Sequence, residues 1–198
     1  MNIGLDIDNV ISNFDLAVFK AFLKEDKLKR NRGIINKDAL HINDGMFDWS
    51  RDEVVKFYAN NMETIAKDLF LRKDCKKVMD RLLQEGHKLF LISHRVYPDY
   101  KHPEETTKEW LKKRKIKYTK LIISKNRDKT PECFANKIDV MFDDVCSQCK
   151  IMRNNGVNCI LMLTKYNWRE KENLPFVKSW NDLYNKICQL NKQLNNCG

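Results

Sequence analysis

No stretch of the 198 residues is long and apolar enough to cross a membrane, and the opening MNIGLDIDNV carries neither a basic leader nor an apolar run of signal-peptide length. Low-complexity tracts and short-period repeats are missing as well, which leaves a globular chain. Cysteine is present without a pairing pattern: Cys75, Cys133, Cys146, Cys149, Cys159, Cys188 and Cys197 form an odd set at uneven spacings. In a chain without a leader, such a set is expected to be reduced thiols in a cytoplasm. The Cys146–Cys149 C-x-x-C pair has no second C-x-x-C and no paired histidine to complete a four-ligand zinc site. One turn apart on the helix expected after Asp144, both cysteines read as small core hydrophobes. His41, His87 and His102 lack any partner pattern and read as surface or loop residues.

Apolar residues make up 42% of the chain and charged residues 32%, a balance that suits one domain with a small accessory element. Lysine and arginine total 37 against 27 acidic residues, a formal charge of +10 that would suit an anionic partner or substrate. The lysines are scattered among glutamates on almost every expected helix (Lys20, Lys24, Lys67, Lys76, Lys77, Lys112, Lys113), which reads as a solvated surface and not a nucleic-acid groove.

Short apolar runs at 3–7, 89–92, 121–123, 140–142 and 159–163 have the length of buried strands. Helical spacing separates them at 74–84, ended by Gly86, and at about 104–113, where Pro103 suits a first turn. Such alternation predicts an α/β fold, a parallel sheet flanked by helices. Roughly eighty residues lie between the first strand and the second, where later strands recur much more closely, so something is inserted there. Within it, 15–23 and 51–65 have helical spacing, Ser50 is a candidate N-cap, and 29–48 reads as loop. The expected organisation is a core of 1–12 and 72–198 with a helical cap over 13–71.

Ligands of open α/β sheets bind at the carboxyl ends of strands, and those ends carry Asp6 and Asp8, then Ser93, His94 and Arg95, then 124–129, then Asp143 and Asp144. Asp6 and Asp8, two residues apart on an extended segment, point the same way. A lone D-x-D would most often cap a turn or face solvent. With Asp143 at a second strand end, the three carboxylates would form an all-oxygen cluster of the kind that suits magnesium. Ser93 can donate to a phosphate oxygen, and Lys129 or its neighbour Lys125 can supply positive charge. Thr130 as N-cap and Pro131 at the first helical position would set Lys129 at a helix N-terminus. Arg95 could reach a second anionic group of a substrate or lie on the surface. Phe14, Phe47 and Trp49, in or beside the insertion, are candidates for stacking on a base or sugar, or for the core.

Together the four strand-end sets resemble the haloacid dehalogenase superfamily of phosphotransferases: I-G-L-D-I-D-N-V is similar to its first motif, L-I-S-H-R to the second, Lys129 to the third and V-M-F-D-D to the fourth. S-H-R beside P-E-E-T-T-K-E-W-L, and the later K-Y-N-W, resemble the deoxyribonucleotidase-like branch, the cytosolic deoxy 5'-nucleotidases of type C. The resemblance implies a Rossmann-like core with a helical cap after the first motif. It also implies a magnesium-dependent phosphomonoesterase acting on 5'-nucleotides or deoxynucleotides. By position, Asp6 would be the nucleophile and Asp8 the acid and base; Asp6, Asp8 through its carbonyl, and Asp143 would hold Mg2+. Ser93, His94, Arg95 and Lys129 would meet the substrate, with Asp144 in support. Asn9-Val10 and Ser93-His94 depart from the residues more usual at those places and bear on the choice of substrate. A phosphatase of another small metabolite or of nucleic-acid ends, and a non-catalytic binding module of the same fold, remain alternatives. Every required catalytic group is present, which speaks against the last.

Overall fold

In the computed structural model, which describes residues 1–196, six strands form one parallel sheet. They are β1 (Asn2–Leu5), β2 (Lys88–Ser93), β3 (Lys120–Ile123), β4 (Val140–Asp143), β5 (Cys159–Met162) and β6 (Phe176–Val177), in the order β3-β2-β1-β4-β5-β6. The order reverses at β1, which pairs with β2 on one side and β4 on the other. A crevice at such a switch point is where doubly wound sheets bind ligands. The expected α/β class and the first five strands are found.

Alternation along the strands feeds two cores. Ile3, Leu5, Leu89, Leu91, Val140 and Phe142 face one side, and Phe90, Ile92, Met141, Cys159 and Leu161 face the other. Helix α3 (Cys75–Gln84) covers the first face with Val78, Met79 and Leu82, together with α7 (Trp180–Asn196). Helices α5 (Thr130–Ala135) and α6 (Cys146–Asn154) cover the second face with Cys133, Cys146, Cys149 and Met152. Cys146 and Cys149 are thus buried core residues, and the six described cysteines are free thiols; Cys197 lies outside the described residues. Gly4 is required by close approach, since a Cβ there would stand 2.6 Å from Met141 Sδ and 3.1 Å from Ile138 Cγ2.

The inserted segment holds α1 (Phe14–Lys29) and α2 (Arg51–Ala66), which pack on each other, and a short 3-10 turn at Ile42–Asp44. Ser50 caps α2 as expected: Glu53 N donates to Ser50 Oγ at 3.3 Å and Ser50 N to Glu53 Oε2 at 2.9 Å, a capping box. Helix α1 extends beyond the expected 15–23. Past its apolar stripe, buried Asp26 accepts hydrogen bonds from Trp49 Nε1 at 2.8 Å and Gly33 N at 2.7 Å, which ties down the helix end. The chain leaves and rejoins the sheet region through a narrow neck, an antiparallel bridge of Ser12 with Leu71 flanked by Asn13 N to Phe70 O and Arg72 N to Ile11 O, both 2.9 Å.

β6 and α7 have no counterpart in the sequence expectations. A two-residue strand is too short to leave a pattern, but Trp180, Leu183 and Ile187 do have helical spacing and are all buried. Helix α4 (Pro103–Lys113) starts at the proline and buries Trp110 and Leu111; Trp110 Nε1 donates to Leu69 O at 2.8 Å, joining α4 to the end of the insertion. Among the described residues no helix is long and apolar enough to cross a membrane.

Candidate active site

β1 ends by handing its pairing on: Asp6 N donates to Phe142 O of β4 at 2.9 Å, so Asp6 is held at the tip of the central strand. The next turn is made by Asn9, whose φ of 59° lies in the left-handed region that asparagine tolerates better than most residues. Its side chain spans the turn. Nδ2 donates to Asp144 Oδ2 at 2.9 Å, and Oδ1 accepts from Asp15 N, in the first turn of α1, at 2.9 Å. Asn9 therefore joins two strand-end loops to the start of the insertion.

Lys129 is 4% exposed and bridges two of the acidic residues, its Nζ lying 2.5 Å from Asp6 Oδ1 and 2.7 Å from Asp143 Oδ2. Lys125, the alternative, is exposed. Helix α5 begins at Thr130, one residue earlier than expected: Thr130 N donates to Asp128 Oδ1 at 2.9 Å, so Thr130 is inside the helix and Lys129 stands at its cap position. Asp143 is wholly buried, and its other oxygen accepts from Val145 N at 2.9 Å. Ser93, at the end of β2, is buried and lines the same cavity as His94, whose Nδ1 lies 3.2 Å from Ser124 O. Asn167 of the K-Y-N-W segment closes the far side, with Nδ2 donating to Asp144 O at 2.7 Å and Met162 O at 3.0 Å.

Arg95 requires a correction. It is neither a surface residue nor on the cavity wall: it is 0% exposed and grips Asp8 with both arms, Nε to Oδ2 at 3.0 Å and Nη2 to Oδ1 at 2.5 Å. The insertion's aromatics divide between the two expected roles. Phe47 is buried against Phe19 and Phe22, and Trp49 packs on Phe22 while its indole N–H is held by Asp26. Neither lines the cavity. Phe14 does, together with Phe19, Tyr58 and Tyr166, which the sequence patterns did not single out. His41, from the insertion, stacks on Tyr166 with ring centroids 6.0 Å apart.

The cavity, of about 750 Å3, has the strand-end carboxylates and Lys129 at one end and these rings at the other. Burial pushes the Asp6 carboxyl up to about 7; Lys129 pulls it back, and Asp143 and Asp8 raise it further. Asp144 is likewise pushed well above its ordinary value by burial and by the charges of Asp6 and Asp143. Lys129, despite the burial that works against its charge, is held above its ordinary value by Asp143 and Asp6. Four acidic side chains (Asp6, Asp8, Asp143, Asp144) thus crowd around two buried cations, Lys129 and Arg95, and burial with mutual repulsion makes ionisation of Asp6 and Asp144 costly. Among the described residues no three His, Cys, Asp or Glu side chains stand as a ready-made metal cage. Magnesium does not need one, because it keeps several waters and takes one or two carboxylates together with substrate phosphate. The all-oxygen donor set of Asp6, Asp143 and nearby backbone carbonyls fits such a hard cation.

The sequence profile of the family described as 5' nucleotidase, deoxy (pyrimidine), cytosolic type C protein matches residues 1–194. No curated protein sequence matches the chain. Among solved structures, a haloacid dehalogenase-like hydrolase from Bacteroides fragilis described as putative superposes with a TM-score of 0.62 at 13% identity, covering 91% of this chain and 98% of that one. The HAD-hydrolase YfnB from Bacillus subtilis, solved bound to magnesium, gives 0.59 at 16% identity over 94% and 97%. CbbY from Rhodobacter sphaeroides, in complex with phosphate, gives 0.56 at 12% over 92% and 95%. At these identities the likeness is one of fold: the core is that of the HAD-superfamily hydrolases.

Proposed function

The chain belongs to the 5' nucleotidase, deoxy (pyrimidine), cytosolic type C family and so is a phosphoric monoester hydrolase; from that premise we propose that it removes phosphate from 5'-nucleotides or deoxynucleotides through an aspartyl phosphate on Asp6. The observation that carries this reading is the Asp6–Lys129–Asp143 bridge at the floor of a cavity large enough for a nucleotide.

A carboxylate oxygen of Asp6 attacks phosphorus, and the bond from phosphorus to the ester oxygen breaks. Asp8 protonates the departing oxygen, then takes a proton from the water that attacks the aspartyl phosphate, which frees Asp6 and releases phosphate. Lys129 and Ser93 hold the phosphoryl oxygens, and His94, fixed against Ser124 O, borders the same end. Asp6, Asp143 and the backbone carbonyl of Asp8 are the groups that would hold Mg2+, with Asp144 in support. When bound, that ion offsets the charge between an anionic nucleophile and a phosphate dianion.

Residues 13–71 act as the cap, joined to the core at the Ser12–Leu71 neck, and Phe14, Phe19 and Tyr58 are the rings that meet the base or sugar, with Tyr166 opposite. The free thiols support a cytoplasmic protein, and the scattered lysines a small substrate and not nucleic acid. A panel of phosphomonoesters assayed with and without magnesium tests the reading. Turnover of nucleoside 5'-monophosphates, abolished by chelator and restored by magnesium, is expected. Full turnover in excess chelator, or none with any nucleotide, overturns it.

A further inference from the structure

We infer that Arg95 is a positioning residue that sets the carboxylate of Asp8, through a relay anchored in the first turn of α4; the inference rests on Asp8 being the acid and base of the proposed reaction. Asp8 is the more exposed of the paired aspartates at the end of β1, with a fifth of its side chain accessible. Its other side-chain contact is a long one, from Ser12 Oγ at 3.5 Å. A carboxylate held only by that bond would rotate freely. Instead the planar guanidinium meets both oxygens in a fork, which fixes the plane of the carboxylate as well as its distance.

The guanidinium is itself locked. Its Nη1 donates to Thr107 Oγ1 at 3.0 Å, and that hydroxyl passes its own hydrogen to Pro103 O at 2.6 Å, across the first turn of α4. The ring of Tyr100 lies 5.5 Å below it. Arg95, Thr107 and Tyr100 are all buried, so the guanidinium is shut off from solvent. Arg95 does not line the cavity and meets it only through Asp8, which does. Its place directly after Ser93 and His94 at the end of β2 ties acid–base geometry to the same strand end that borders the phosphate.

The test uses Arg95→Met, Arg95→Lys and Thr107→Val, each assayed with a nucleoside 5'-monophosphate and with a nitrophenyl phosphate, whose leaving group departs without a proton. Misplaced by about an ångström, the acid should cost about a hundredfold in kcat for the nucleotide in Arg95→Met, with KM little changed. The burst of nitrophenol should persist, because phosphorylation of that ester needs no acid. Dephosphorylation by water needs Asp8, so phosphoenzyme should accumulate. Arg95→Lys keeps the charge but loses the fork, and should recover part of the nucleotide rate. Thr107→Val, which leaves the Arg95–Asp8 pair in place, should show the same selectivity in smaller degree and serves if Arg95→Met does not fold. Equal slowing of the first turnover, the transfer of phosphoryl to Asp6, for both esters, or unchanged rates with both, in the folded variants overturns the inference. Absence of any phosphoenzyme in the unaltered protein would instead strike the proposed reaction itself.

Discussion

At the floor of the cavity Asp6, Ser93, Lys129 and Asp143 come from four different strand ends, while its roof draws Phe14, Phe19 and Tyr58 from the two helices of the insertion. The floor residues are held by backbone register and short charged hydrogen bonds, so the topology alone dictates their meeting. The roof residues are held by apolar packing, and which ring faces the cavity depends on how α1 sits on α2. Substitutions at the floor should therefore change chemistry, and substitutions in the roof should change either binding or stability according to the side a ring faces.

The largest contrast is expected from Asp143→Asn, which removes a carboxylate from the end of the cavity proposed to hold Mg2+ while keeping the shape. Turnover should fall by about a thousandfold and the magnesium dependence should shift to higher concentrations, with Tm nearly unchanged. Next, Phe47→Ala should leave a cavity in the packing of α1 and lower stability by about 3–5 kcal/mol, read by denaturant unfolding, without raising KM for the nucleotide in the folded protein. A selective rise in KM would move Phe47 from the packing to the substrate. Tyr166→Ala makes the opposite case: KM for the nucleotide should rise by up to about tenfold, as befits the loss of one aromatic contact, and KM for a small aryl phosphate should hold.

The smallest effect is expected where roof meets floor. Glu63 of α2 accepts hydrogen bonds from His102 N at 2.8 Å and Thr106 Oγ1 at 2.9 Å, at the start of the helix that locks Arg95. Burial works against the Glu63 carboxylate, but these bonds outweigh it and hold its pKa below the ordinary 4.5. A lowered folded pKa means the stabilisation is complete above about 4.5 and is lost as pH falls through the folded value. Glu63→Gln should cost about 1 kcal/mol at neutral pH and flatten the acid limb of the stability curve. An unchanged acid limb would show that the contact does not hold α2 to α4.

The same contrast governs what the sequence disclosed. Strands announce themselves by short apolar runs, and the residue after each is fixed in space by the topology, so Asp6, Ser93 and Asp143 could be grouped from spacing, while spacing alone does not choose Lys129 over Lys125. Proximity in sequence misled for Arg95, where only tertiary packing turns the side chain under the strand ends and onto Asp8. For the insertion, helical spacing located α1 and α2 but could not tell Phe47, turned inward onto Phe22, from Phe14, turned to the cavity. Tyr166 belongs to the K-Y-N-W segment, and no periodicity marks a loop residue as a cavity wall.

In the proposed reaction Asp6 carries the phosphoryl group and Asp8 moves the protons. Asp6→Asn and Asp8→Asn, each mixed with magnesium and nitrophenyl phosphate and examined by intact mass, test it most directly. The Asp8 variant is expected to release a burst of nitrophenol and retain one phosphoryl group on Asp6, while the Asp6 variant gains no mass and turns over nothing. Equal slowing by both substitutions, with no phosphoenzyme trapped in either, would contradict the claim.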